Sequence, residues 1–194
     1  MSTPETTSAQ PGTAARPAGT AAAPQERTAD DALRAHDAGL FLLRLVVGLT
    51  MAAHGTQKLF GWFDGGGLKG TGAFFASSGY PSGTTMAAVA GVSETLGGLG
   101  LVLGLLTPLA GAAVVGTLIN AMAVKWSGGF FAPKGVEYEL VLAAGAAALA
   151  LTGPGRFAAD RLLPVLRGHR LRHGVYGVLL GVVAAAAVLL FVRS

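Results

Sequence analysis

The run RLVVGLTMAAHGTQKLF, Arg44 to Phe60, holds three ionisable side chains, Arg44, His54 and Lys58, among residues apolar enough for the interior of a bilayer. Such groups are costly inside a spanning helix. By default they mark a functional site facing the bundle interior. A second apolar run contains Glu94 in GVSETLGGLGLVLG, a third contains Asn120, and Glu137 and Tyr138 open a fourth. His54 and Glu94 have the chemistry of proton transfer. An imidazole titrates near neutrality, and a carboxylate inside a span must be protonated or paired, with Arg, Lys or His of the first run as its obvious partners. They are the candidate catalytic residues. Arg44, Lys58, Asn120, Glu137 and Tyr138 offer charge and hydrogen bonds to a bound molecule and are the candidate binding residues. The chain has no cysteine, so disulfides, thiolate clusters and Cys-ligated zinc are excluded. His54 is the one histidine within an apolar segment, so no metal or bis-histidine haem site is indicated, and no flavin fingerprint is present.

These residues need elements to carry them, and the composition says which kind. Of 194 residues, 52% are hydrophobic and 12% charged, against roughly 25% charged in average soluble domains. Five segments approach the roughly 20 residues that cross a bilayer as helix: about 38–60, 85–106, 109–126, 136–152 and 175–192. Thr107 and Pro108 are expected to form the turn between the second and third, and Gly153 to Gly155 to end the fourth. The expected fold class is all-α, a polytopic transmembrane helical bundle. At about 100° per residue, with Arg44 at zero, Gly48 falls near 40°, Gly55 near 20°, Lys58 near −40° and His54 near −80°. The charged groups and two glycines therefore share the side that should face protein. Gly91, Gly97 and Gly98 flank Glu94 in the same way and suit close helix approach.

Residues 1–35 are rich in Ala, Thr, Pro, Ser and Gly and read as a disordered tail. Five arginines between Arg156 and Arg172 make the loop after the fourth segment the cytoplasmic one. Counting back, the N-terminus is cytoplasmic too, in a multi-pass protein of the plasma membrane, and every candidate except Arg44 falls in the outer half of the bilayer. The glycine-rich loop after the first segment is outward, with a short helix expected over 71–78 and Trp62, Phe63 and Tyr80 at headgroup depth. The formal charge of +4 is not a nucleic-acid signal, because the basic residues gather in one loop instead of interleaving with aromatics.

The segments RLVVGLTMAAHGTQKLFGW, GTGAFFASSGYP, ETLGGLGLVLGLLTP and VEYELVLAAGAAALALTGPGRFAAD, in that order, resemble the DoxX family of small bacterial membrane proteins. The resemblance implies a four-helix core over residues 37–163, with residues 164–194 adding a basic loop and a fifth, C-terminal helix. Arg44, His54, Lys58, Glu94 and Gly98 match family-typical positions. The family includes proteins similar to a membrane component of a thiosulfate:quinone oxidoreductase and others linked to oxidative stress, so the resemblance implies a quinone-linked redox role. Three readings fit the residues: a redox subunit binding quinone in an outer-half pocket, a non-catalytic membrane scaffold, and a small-solute transporter. The expected partners are membrane lipid, quinone, and a protein partner or a second copy of the chain.

Overall fold

The computed structural model describes residues 24–163 and 168–193, and every regular element among them is helical. The six α-helices are α1 (Pro24–Phe60), α2 (Gly67–Ser77), α3 (Gly83–Leu103), α4 (Thr107–Lys125), α5 (Glu137–Thr152) and α6 (Leu171–Phe191). Four of them, α1, α3, α4 and α6, are long and apolar enough to cross a membrane. The expected fourth crossing, α5, has 16 residues, about 24 Å at 1.5 Å per residue, short of a hydrocarbon core of about 30 Å. It nevertheless runs the length of the bundle. Glu139 near its start meets Lys125 at the end of α4, and Pro154 just past its end meets Arg44. The C-terminal segment, by contrast, forms a full-length helix.

Five helices thus run between two ends, which we call the α2 end and the Arg44 end. Two seams of small residues hold the bundle. On α1 and α3, a Cβ added at Gly48 would stand 2.6 Å from the Gly98 carbonyl, and one added at Gly98 would stand 2.5 Å from the Gly48 carbonyl. Backbone therefore lies on backbone, as glycine permits inside a membrane bundle. On α4 and α6, Gly181 packs against Ala112 and Gly177 against Pro108. Between the ends, Val47 and Met51 of α1 are buried in one apolar core with Leu101, Val114, Leu118, Leu142 and Leu149.

Local chemistry moves several boundaries. Thr107 and Pro108, expected as a turn, are the first residues of α4, because proline is tolerated in a helix's first turn, where its missing N–H has no intrahelical partner. The turn lies one step earlier. Gly104, at φ +63°, ends α3, and the Leu105 N–H closes on the Gly100 carbonyl at 2.8 Å, the left-handed glycine stop of many helices. The expected tail over 1–35 lies outside the described residues up to residue 23, and from Pro24 the chain is already helical. Asp37, buried on that first stretch, accepts the Arg156 N–H at 2.9 Å and so ties α1 to the loop after α5. Part of the basic loop, residues 164–167, is also outside the described residues.

Candidate functional site

A groove of about 350 Å³ lies at the α2 end, within the size range of small-molecule sites. Its back is α4, from Ala112 to Lys125; one side is α3, from Met86 to Glu94; the other is Ala184, Ala185 and Val188 of α6. Helices α3 and α6 both pack on α4 but not extensively on each other, which leaves the groove open between them. Val89 on that edge is half-exposed. Phe74 and Phe75 of α2 and the following Tyr80 form the roof.

The polar groups of this apolar groove come from four segments. Lys58 sits in the last turn of α1, from where a long cationic side chain could reach out past the helix end. Its side chain runs the other way. Helical Cα–Cβ bonds tilt toward the N-terminus, so Lys58 reaches into the bundle and its Nζ donates to Glu94 Oε2 at 2.6 Å. The Glu94 side chain is 4% exposed and lies near the middle of α3. Asn120 accepts the Tyr80 hydroxyl on Oδ1 at 3.2 Å and donates Nδ2 to the Gly116 carbonyl at 3.0 Å. Lys125, in the last turn of α4, also lines the groove and donates to Glu139 Oε1 at 2.7 Å.

The sequence-predicted set is therefore divided. Lys58, Glu94 and Asn120 share the groove. His54 and Tyr138 form a neighbouring cluster between α1 and α5, with His54 Nε2 2.9 Å from the Tyr138 hydroxyl and Nδ1 3.0 Å from Gln57 Oε1. Gln57 Nε2 donates to the Phe63 carbonyl at 3.2 Å, which turns its oxygen toward the ring. Nδ1 is then the donor, and in the neutral imidazole of that tautomer Nε2 accepts the Tyr138 O–H. His54 remains within electrostatic reach of Lys58, Lys125 and Glu139. Glu137, half-buried at the start of α5, is not among the groove-lining residues.

Arg44 belongs to the opposite end. It is 1% exposed and donates to four backbone carbonyls: Leu101 at 2.8 Å, Val102 at 2.6 Å, Pro154 at 2.8 Å and Phe157 at 2.6 Å. The first two are carbonyls of the last turn of α3, beyond which no further helical turn supplies N–H donors; the Gly104 N–H reaches Leu101 at 3.1 Å. Asp160 is the matching device for α4, accepting the Leu106 N–H at 2.6 Å, the Thr107 N–H at 3.0 Å and the Thr107 hydroxyl at 2.7 Å. Arg44 thus secures helix ends, and its donors are not turned to the groove.

Two groove residues, Lys125 and Tyr80, and Glu139 behind Lys125 lay outside the expected site. Glu139 had a visible signal: it shares the helical face of Leu142, Ala143 and Ala146, all buried, at the i, i+3, i+4, i+7 spacing of an inward stripe. Lys125, in the last turn of α4, carries no such signal, because a cation is ordinary at a helix C-terminus. Tyr80 looked like an interfacial aromatic, yet it is buried, its ring 5.3 Å from Phe75. Arg193 lies over it, 5.8 Å from the ring centre, and donates to the Ser78 carbonyl at 3.0 Å. The end of α6 therefore straps the roof. Burial pushes the Tyr80 phenol up from its ordinary value, with Arg193 acting in the opposite sense, so the hydroxyl stays a donor to Asn120.

Comparison with known proteins agrees with the residue pattern. The DoxX family profile matches residues 39–127, which carry α1 from Gly39 onward, α2 to α4, and the groove's Lys58, Glu94 and Asn120. A Bacillus subtilis (strain 168) protein named "Putative oxidoreductase CatD" is 34% identical over 128 residues, 66% of this chain and 88% of that protein. No solved structure matches.

Proposed function

Because this chain belongs to the DoxX family, we propose that it is a membrane subunit of an oxidoreductase whose groove takes the headgroup of a lipid-soluble quinone. The observation that carries this reading is the Lys58–Glu94 pair at 2.6 Å in the wall of an apolar groove open between α3 and α6. A quinone needs flat apolar walls for its ring, donors for its oxygens, a source of protons, and a sideways path from the bilayer. Ala113, Gly116, Ala121 and Val124 supply the walls. Lys58 supplies donors, and Glu94 behind it can hold a proton within hydrogen-bond reach of Lys58. The His54–Tyr138 pair, half-exposed at the Tyr138 side, is where a proton would be exchanged with the surroundings. The chain has no cysteine, so electrons would come from a partner protein or a diffusible reductant.

The test is quinone retention. Protein taken from native membranes into lipid nanodiscs is extracted, and isoprenoid quinone is quantified per chain. Near-stoichiometric quinone is expected, with Glu94→Gln and Lys58→Met each lowering it about tenfold, the equivalent of about 1.4 kcal/mol in affinity. Equal quinone in parent and variants, or none in the parent, would overturn the reading. Thermal unfolding of each variant separates lost binding from lost fold.

A further inference from the structure

Resting on that reading, we propose that the groove is a two-anchor site: a ring dicarbonyl is held at one oxygen by Lys58 and at the other by Lys125. Nothing in the sequence marked Lys125 for this role, but its surroundings repeat those of Lys58. Each ammonium lines the groove, and each has a carboxylate at its back, Glu94 at 2.6 Å and Glu139 at 2.7 Å. Both carboxylates are nine-tenths or more buried, with side chains 4% and 10% exposed. The two ammoniums arrive from different helices, α1 and α4.

The donor count points the same way. An ammonium has three N–H donors, and each of these lysines gives one to its carboxylate and has no other protein acceptor among the described residues. Two cationic groups with unspent donors therefore face one small apolar space. The carboxylates compensate the charge, so the site does not call for an anion. A neutral molecule with two separated acceptor oxygens meets both donors at no net charge. Glu139 also has a buried Oε2 with no protein hydrogen-bond partner among the described residues. A pair that served only to join α4 to α5 would be expected to satisfy that oxygen. Here it is left without a protein partner, behind Lys125 and one layer back from the groove.

Infrared spectroscopy of a bound naphthoquinone with a short isoprenoid tail, carrying ¹³C at one ring carbonyl or the other, tests this without any electron donor. Two carbonyl bands shifted to lower frequency are expected in the parent. Lys125→Met should release one of them and Lys58→Met the other. Lys125→Arg, which keeps the charge beside Glu139 but alters the donor geometry, should move only the band released by Lys125→Met. It serves in place of Lys125→Met if that variant does not fold. If the quinone does not bind the parent, the quinone reading itself fails. If it binds with a single shifted carbonyl, or if both shifts survive the Lys125 substitutions unchanged, the second anchor alone is overturned.

Discussion

Replacing Arg44 with Met keeps the length and apolar stem of the side chain and removes the guanidinium that serves four carbonyls. Hydrogen bonds to charged groups contribute about 1.5–3 kcal/mol each, but four of them cannot simply be added. The Leu101 carbonyl also accepts the Gly104 N–H at 3.1 Å, and the variant no longer carries the cost of a charge that is 1% exposed. The expected loss is about 3–5 kcal/mol, from three carbonyls left without a donor at about 1–3 kcal/mol each, less that relief. At about 2–4 °C per kcal/mol for a chain of this size, that is a fall of roughly 6–20 °C in the unfolding temperature in nanodiscs. Gly104→Ala should attack the same device from the other side, because its Cβ would stand 2.8 Å from the Arg44 guanidinium at a φ of +63°. Part of that penalty should vanish in the Arg44→Met background, since contacting residues couple. A fall under about 2 °C for Arg44→Met, or strictly additive penalties, would refute the assignment of Arg44 as the clamp on the end of α3.

Three further outcomes follow from the packing. Asp160→Ala should cost about 1–2 kcal/mol as a lost helix cap, visible as faster hydrogen exchange at Leu106 and Thr107; unchanged exchange there would count against it. Gly98→Val should separate α1 from α3, because even a Cβ would stand 2.5 Å from the Gly48 carbonyl and the Ala52 nitrogen, whereas Gly70→Ala, with nothing within 4 Å, should leave the unfolding temperature nearly unchanged. The Tyr80 phenol, raised by burial, should ionise later in alkaline ultraviolet titration than an exposed tyrosine, and Tyr80→Phe should lower the amplitude of the late phase by one phenol. Its folded value lies above its unfolded value, so its contribution to stability is present below about pH 10 and is lost as pH rises through the folded value. A Tyr80 that titrates with exposed phenols would contradict its burial.

How much of the site was legible can be followed residue by residue. Lys58 and Glu94 stood out because ionisable groups are few in such apolar runs, and opposite charges find each other inside a bundle. Helical periodicity also put Gly48 and Gly55 on the protein-facing side, where both are buried against α3. The same logic grouped Arg44 with the binding residues, whereas its four hydrogen bonds go to backbone carbonyls at the opposite end of the bundle. Periodicity gives the face of a helix but not the depth at which a neighbouring helix ends, and the end of α3 is what Arg44 finds. Lys125 and Glu139 were passed over for a related reason. Each lies within a turn of a helix terminus, where charge is ordinary, and only the docking of α4 beside α5 shows that one faces the groove and the other is buried behind it.

The sequence alone determined the all-helical architecture, the apolar segments and the glycine-rich faces, because these rest on the cost of exposing backbone to lipid and on a period of 3.6 residues. Those are properties of each segment by itself. The groove was decided only by tertiary structure. It exists because α3 and α6 both pack on α4 without closing on each other, because α2 folds back as a roof, and because Arg193 at the chain's far end straps that roof over Tyr80. Each of those contacts joins residues distant in the chain. Whether an ammonium ends in headgroups or in a groove depends on which helix lies opposite, and no single segment contains that.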